Sequence, residues 1–121
     1  MQGLPAVCER LGRVLFENRP ALDLIRSEDD SGTLFYLDPP YPHETRRTTD
    51  AYAASEMTEA DHWELLDLVK QVQGKVMLSG YPRELYDEAL AGWSRHTFDL
   101  PNHAAGGAAK RRMTEVLWCN F

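Results

Sequence analysis

The sequence lacks the features that mark membrane-spanning, secreted and disulfide-rich chains. No apolar run approaches the ~18 residues that a membrane span requires, and the first residues lack the basic and apolar segments of a signal peptide. Only two cysteines are present, Cys8 and Cys119, and they form no CxxC or Cys/His cluster, so neither a disulfide framework nor a zinc site has support. We therefore expect a cytoplasmic protein without a membrane partner, with both cysteines reduced and structural.

Metal-binding and glycine-rich motifs are missing as well. The four histidines, His43, His62, His96 and His103, show no HxH or HExxH spacing. We interpret each as a surface or loop residue and expect no metal. None of the 8 glycines forms a GxG pattern, so the residues nominate no loop that could hold a phosphate or a nucleotide-like cofactor.

Positive charge is scarce. The net charge is −6 and the pI is near 5.1, which argues against an autonomous nucleic-acid binder because phosphate neutralisation needs a cationic face. Basic residues cluster at Arg46 with Arg47 and at Lys110, Arg111 and Arg112. Each cluster adjoins a predicted loop, and both a solvated surface and a nucleic-acid contact remain open for it.

What is present is the composition of one globular domain. The chain has 121 residues, 43% of them hydrophobic and 26% charged, and shows no repeat or linker, so we treat 1–121 as one compact unit. The first half predicts helices at 4–11 and 21–26 and a short buried strand at 14–16. Residues 34–37 do not alternate, which predicts a fully buried strand that ends at Asp38. Residues 42–55 are polar and predict a long surface loop.

The second half predicts the rest of an α/β domain. Thr58 caps a helix, with Asp61 three residues on in a capping-box relation. The apolar stripe of this helix comprises Leu65, Leu66, Val69 and Val72. The later predicted elements are a strand at 75–78, a helix at 82–90, and strands at 94–100 and 114–121 around a basic loop. Strand, helix, strand and helix in succession indicate a parallel α/β unit, and the last two strands indicate an antiparallel hairpin.

The motif with chemical content is Asp38-Pro39-Pro40-Tyr41, at the carboxyl end of the 34–37 strand. Open α/β sheets bind ligands at this end of their strands. Two prolines fix the backbone and remove two amide donors, which leaves nearby carbonyls as rigid acceptors. Such a set suits an aromatic amine, because Asp38 and the Pro39 carbonyl can accept its two hydrogens while Tyr41 stacks on the ring. From these four residues alone, a simple proline-rich turn remains an alternative.

The wider sequence resembles the Dam-type adenine-N6 DNA methyltransferases, particularly phage and prophage members. The strings that carry the resemblance are ENRPAL, LFYLDPPY, HETR, EMTEADH, GKVMLSGY and TEVLWCNF. The resemblance implies methyl transfer from S-adenosylmethionine to the adenine amino group in double-stranded DNA, alone or within a restriction-modification system. A target base would be flipped out of the duplex, at a few kcal/mol, with stacking returning ~1–3 kcal/mol.

The resemblance also assigns residues. Asp38, Pro39, Pro40 and Tyr41 become the catalytic loop, with Asp38 also near the methyl donor. Ser79 and Tyr81 border the base pocket, and Tyr52 is a candidate second ring in it. Arg46 is a candidate phosphate contact. For Lys110, Arg111 and Arg112 in the terminal hairpin, DNA backbone contact and plain solvation remain equally open.

The family pattern is incomplete in this chain. The resemblance implies the C-terminal part of a catalytic domain: a partial Rossmann-like methyltransferase sheet with flanking helices and a C-terminal antiparallel hairpin. The glycine-rich motif that holds S-adenosylmethionine and the target-recognition insert are absent, so we expect a chain that is inactive alone. We expect residues 14–16 to pair against residues 34–37, or the chain to associate with a second copy or a complementary N-terminal half through that sheet edge.

Two alternatives stay open at this point. One is a non-catalytic DNA-binding or regulatory remnant of such an enzyme, which the acidic composition disfavours. The other is methylation of an amino group in RNA adenine or a protein amide, since DPPY-like loops serve these substrates too. The strings outside DPPY favour DNA.

Overall fold

The computed structural model describes residues 3–40, 57–101 and 112–121. These residues form a mixed α/β protein with an open four-stranded sheet. The elements in chain order are α1 (Leu4–Leu11), α2 (Ala21–Glu28), β1 (Leu34–Leu37), α3 (Glu59–Val69), β2 (Lys75–Gly80), α4 (Glu84–Ala89), β3 (Ser94–Pro101) and β4 (Arg112–Cys119). No helix in the described ranges is long and apolar enough to cross a membrane.

The strands lie in the order β1-β2-β4-β3. β1 and β2 are parallel, and α3 lies between them in the chain, as a parallel connection requires. β4 is antiparallel to both of its neighbours, so the terminal hairpin inserts its second strand next to β2. The predicted parallel unit and antiparallel hairpin are both confirmed. The carboxyl ends of β1 and β2 consequently lie at one edge of the sheet.

Helix α3 begins with the predicted capping box. The Asp61 amide donates to Oγ1 of Thr58 at 3.1 Å, and the Thr58 amide donates to Oδ2 of Asp61 at 2.8 Å. These hydrogen bonds lower the pKa of the Asp61 carboxyl. The buried face of α3 comprises His62, Leu65, Leu66 and Val69, the spacing of an amphipathic helix. The interpretation of His62 as a surface residue is wrong, since its exposed fraction is 2%.

The hydrophobic core lies between α3, α4 and the centre of the sheet. Its fully buried side chains include Leu66, Val69, Val76, Leu78, Val116 and Trp118. The Trp118 ring packs 5.5 Å from the Tyr86 ring, and its Nε1 donates to Oδ1 of Asp87 at 3.3 Å. Cys119 is also buried, and burial raises the pKa of its thiol. Cys8 lies exposed on α1, so it has no structural role in this core.

Two side chains, Asp29 and Asn120, form hydrogen bonds with the backbone at the start of β2 and directly before it. The Asp29 carboxylate, after α2, accepts from the backbone amides of Gln73 and Gly74 at 2.9 to 3.0 Å. Asn120 follows β4; its Oδ1 accepts from the Val76 amide at 2.7 Å and its Nδ2 donates to the Gly74 carbonyl at 3.1 Å. Both side chains satisfy backbone groups that the sheet ladder leaves unpaired.

The predictions for residues 14–16 and 34–37 need correction. Residues 14–16 form no strand and do not pair with β1; their three apolar side chains are exposed. β1 exists as predicted, but only Phe35 in it is buried, while Leu34 and Tyr36 are 56% and 64% exposed. An apolar run is buried on both faces only when other elements cover both. Within the described residues, β1 has β2 as its one neighbour and forms an edge of the sheet.

Candidate active site

The carboxyl ends of β1 and β2 bring two of the predicted site residues together. The strand register places Leu37 opposite Leu78, so Asp38 and Ser79 come next on the two strands. Oγ of Ser79 donates to Oδ1 of Asp38 at 2.9 Å and lies 3.4 Å from the Leu37 carbonyl oxygen. The serine therefore fixes the Asp38 carboxylate at the edge where an open α/β sheet binds ligands.

Behind this pair lies a small cavity at the same sheet edge. Its lining residues are Pro39, Pro40, His62, Ser79, Gly80, Tyr81, Arg83 and Tyr86. Tyr81, predicted for the base pocket, thus lines the same cavity as Pro39 and Pro40, predicted for the catalytic loop. The space open to a water-sized sphere is about 20 Å³, enough for one water molecule and far too small for a purine.

A buried polar pair forms one wall of the cavity. Nδ1 of His62 and the Tyr86 hydroxyl are hydrogen-bonded at 2.5 Å. Burial raises the pKa of Tyr86 to about 12, and burial together with the Arg83 charge lowers the pKa of His62. At neutral pH the histidine is therefore uncharged and the tyrosine protonated. Among the described residues, Nε2 of His62 and Nη1 of Arg83 are buried without a hydrogen-bond partner.

His62, Arg83 and Tyr86 were missed when the sequence was interpreted for site residues. His62 lies three and four residues before Leu65 and Leu66, so the helical period predicts it on the buried face. That signal was available. Tyr86 and Arg83 have no comparable signal, because their contribution depends on how α4 packs against α3.

A larger groove opens on the α2 side of the Asp38-Pro39-Pro40 segment. It lies between α2, β1 and α3, has a volume of about 570 Å³, and includes Asp38, Pro39 and Pro40 in its wall. Its charged lining residues are Asp23, Arg26, Asp38, Asp61 and Glu64. Asp38 therefore borders an acidic groove of ligand-binding size, while Pro39 and Pro40 also line the small cavity.

The other predicted site residues lie outside the described residues or, in the case of Arg112, on β4. Tyr41, Tyr52, Arg46, Lys110 and Arg111 lie outside the described residues, as does the predicted loop at 42–55. Arg112 begins β4, where its Nε donates to Oδ2 of Asp99 at 2.9 Å across the hairpin. In the described part of the chain, no group of three or more His, Cys, Asp or Glu side chains is arranged to hold a metal ion.

The fold, together with the site at the carboxyl ends of β1 and β2, indicates a class of protein. Asp38 and Ser79 follow or end two adjacent parallel strands beside an open groove, the place where open α/β sheets bind ligands. The sequence model of the D12 class N6 adenine-specific DNA methyltransferases matches residues 6–102. The chain belongs to this adenine-specific DNA methyltransferase family, which confirms the resemblance found in the sequence. A comparison with curated proteins finds no match.

Proposed function

We propose that this chain carries the amino-acceptor side of an adenine-N6 methyltransferase site, acting on double-stranded DNA with S-adenosylmethionine as the methyl donor. The observation that carries the proposal is the 2.9 Å hydrogen bond from Ser79 to Asp38. It holds a carboxylate at the strand ends, directly before Pro39. The order β1-β2-β4-β3, with one antiparallel strand inserted, supports a partial Rossmann-like methyltransferase sheet.

The chain's own residues would bind and orient the amine. Asp38 accepts one amino hydrogen and the Pro39 carbonyl accepts the other, which directs the nitrogen lone pair away from the loop. Neither Pro39 nor Pro40 has an amide hydrogen, so the backbone of these two residues presents acceptors only. Tyr41 stacks on the flipped base, and Ser79, Tyr81 and Tyr52 border it. After transfer, an Asp38 oxygen can take the proton that the amine releases.

Positioning of the amine would supply much of the rate enhancement of methyl transfer. A fixed amine converts methyl transfer into a near-unimolecular step, which can lower the barrier by about 7–11 kcal/mol when the alignment is good. S-adenosylmethionine supplies the electrophilic methyl group. Every contribution assigned to this chain is therefore one of binding, orientation and proton acceptance.

The described residues do not fit the donor as well as the amine. No glycine-rich turn follows either parallel strand: β1 is followed by Asp38-Pro39-Pro40, and β2 ends on a single glycine, Gly80. The charged side chains that line the groove beside Asp38 are mainly carboxylates, with Arg26 as the cation among them, whereas the donor's own carboxylate needs cationic or amide partners. We therefore propose that the chain alone binds the donor weakly, is inactive alone, and needs a complementary half.

The DNA contacts remain part of the proposal. Arg46, Lys110, Arg111 and Arg112 are proposed to contact phosphates. The Asp99 carboxylate neutralises Arg112 in the free chain, so a phosphate must compete with that ion pair. The acidic composition makes these local contacts rather than a continuous cationic face.

Binding of the amine can be tested with 2′-deoxyadenosine and the whole chain, labelled for NMR. We expect shift changes at Asp38 and Ser79, and none with the deoxyriboside of purine, which lacks the amino group. Asp38→Ala should abolish the difference between the two nucleosides. Equal responses to both nucleosides would contradict the proposal.

Measurements of DNA binding and of donor binding distinguish the proposed function from a non-catalytic DNA-binding module. A duplex titrated across a salt series should bind weakly. A steep salt dependence that persists in Asp38→Ala would instead support a DNA-binding remnant. Calorimetry with S-adenosylmethionine should show little heat, and micromolar affinity would overturn the proposed dependence on a complementary half.

A further inference from the structure

Two residues that line the cavity beside Pro39 and Pro40 each carry a buried nitrogen atom without a partner in the described part of the chain. Nε2 of His62 comes from α3 and Nη1 of Arg83 from the residue that caps α4, and within the described residues neither has a hydrogen-bond partner. His62 is 2% exposed. Leaving a buried polar group unsatisfied costs about 1–3 kcal/mol. Two such groups lining one cavity point to a ligand that satisfies both.

The size of the cavity limits this ligand to one small molecule. To hold one water molecule, a cavity needs a volume of about 10–15 Å³ that is accessible to a water-sized sphere. This cavity has about 20 Å³ of such volume. A phosphate or a purine ring does not fit in that space. The group that occupies this space is therefore the size of a water molecule.

The hydrogen-bonding residues determine what this group must do. A guanidinium has only donors, so Arg83 requires an acceptor. Tyr86 stays protonated at neutral pH and can donate to Nδ1 of His62, which leaves the proton of the neutral imidazole on Nε2. An oxygen that accepts from both nitrogens satisfies them, and a water then has two hydrogens left to donate.

The cavity lining also contains two residues whose backbones can accept those two hydrogens. Pro39 and Pro40 line the cavity, and a proline backbone offers a carbonyl oxygen and no donor. A water is thus the complementary partner, since it can accept from the nitrogens and donate to carbonyls. A chloride ion could accept from Arg83 and His62 but could not donate to the loop.

We propose that one ordered water bridges His62 and Arg83 to the Pro39–Pro40 segment, and that His62 is a positioning residue for the catalytic loop acting through this water. The water links α3, α4 and the loop at a point where direct side-chain hydrogen bonds are missing among the described residues. The positioning role rests on the proposed function, because it concerns the carbonyl that receives the amine. The presence of the water does not depend on it.

Crystallography of the whole chain at high resolution tests the water directly. We expect a fully occupied water within about 3.2 Å of both nitrogens. A chloride ion identified by its anomalous signal, another protein group, or no density between the two nitrogens would overturn the proposal.

Two matched variants test the positioning role. His62→Gln keeps an amide near the place of Nε2, whereas His62→Asn keeps one near Nδ1 and leaves the water without that partner. The ¹³C shifts of the Pro39 and Pro40 carbonyls should stay near the native values in His62→Gln and change in His62→Asn. Deoxyadenosine affinity should fall roughly two- to tenfold in His62→Asn, the effect of one lost hydrogen bond, and recover in His62→Gln.

A further variant tests the positioning role at the second partner of the water. Arg83→Met removes the second partner at a half-buried position, and it should add little to the effect of His62→Asn if both act through one water. Fully additive effects, or equal carbonyl shifts in His62→Gln and His62→Asn, would overturn the positioning role. If the native chain fails to bind deoxyadenosine, the proposed function fails, while the density and the carbonyl shifts still decide the water.

Discussion

Nδ1 of His62 and the hydroxyl of Tyr86 form a 2.5 Å hydrogen bond that joins α3 to α4 inside the core. Their rings meet edge to face with centroids 5.6 Å apart. Burial disfavours the charged form of each, so the pKa of His62 is lowered and that of Tyr86 is raised. The pair is therefore stable only while both groups are neutral.

The first prediction concerns acid. The lowered pKa of His62 means that the unfolded chain takes up a proton near pH 6.5 while the folded chain does not. The stabilising contribution is fully present above about pH 6.5 and is lost as the pH falls toward the folded-state pKa, with a slope of up to about 1.4 kcal/mol per pH unit. Urea unfolding between pH 7 and 5 should show this loss in the native chain and not in His62→Gln. Equal slopes in both proteins would contradict it.

The second prediction concerns alkali. The unfolded tyrosine ionises near pH 10, whereas the pKa of Tyr86 in the folded chain is about 12. Between about pH 10 and pH 12 the unfolded chain releases the proton more readily than the folded chain, so the free energy of unfolding should fall by about 2 kcal/mol as the pH rises to 12. Tyr86→Phe should lack this decline. The exposed Tyr36 provides the matched control, since Tyr36→Phe should keep the native alkaline dependence.

The third prediction concerns the close approach at Gly74. A methyl group there would lie 2.9 Å from the Thr33 carbonyl oxygen and 3.0 Å from Cε2 of Phe35. The carbonyl belongs to backbone that bonds to the Lys75 amide and cannot move freely. Gly74→Ala should lower the free energy of unfolding by about 1–3 kcal/mol, measured by urea denaturation. Gly12→Ala, whose new methyl would meet ordinary contacts of 3.4 Å or more, should change it by less than about 0.5 kcal/mol.

The fourth prediction concerns the open edge of β1. Its exposed Leu34 and Tyr36 lie on a strand with one neighbour among the described residues, and such edges pair with other chains. We expect concentration-dependent self-association in sedimentation experiments, and Tyr36→Lys should weaken it. Trp63→Lys removes another aromatic side chain that is more than half exposed, from α3, and should leave the self-association unchanged. A monomer at all concentrations would contradict the expected self-association through this edge.

Local signals in the sequence were sufficient for elements whose cause is local. The Thr58 and Asp61 capping box predicted the start of α3, because two side chains three residues apart satisfy the first amides of a helix. The two strand-like segments after Trp93 predicted β3 and β4, and their pattern is also a local signal. The parallel pair β1 and β2 followed from the helix between them.

Burial could not be predicted in the same way. The apolar residues at 14–16 lacked a partner strand, and β1 is covered on fewer sides than its apolar run implies, since both depend on distant elements. For the site, Asp38 and Ser79 were predicted and lie together. The contributions of His62, Arg83 and Tyr86 follow from the packing of α4 on α3, which no local pattern encodes.

The two ends of β2 differ in how firmly they are held. Asp29 and Asn120 hold the backbone of Gly74, directly before the strand, and Asn120 also accepts from the Val76 amide. At the other end, Ser79 and Gly80 pair with β4 and not with β1, and the Ser79 side chain contacts Asp38. Local opening is easiest where few such bonds must break. Amide exchange should therefore be slower at Val76 than at Gly80, so that the segment after β1 can move without unfolding the start of the neighbouring strand.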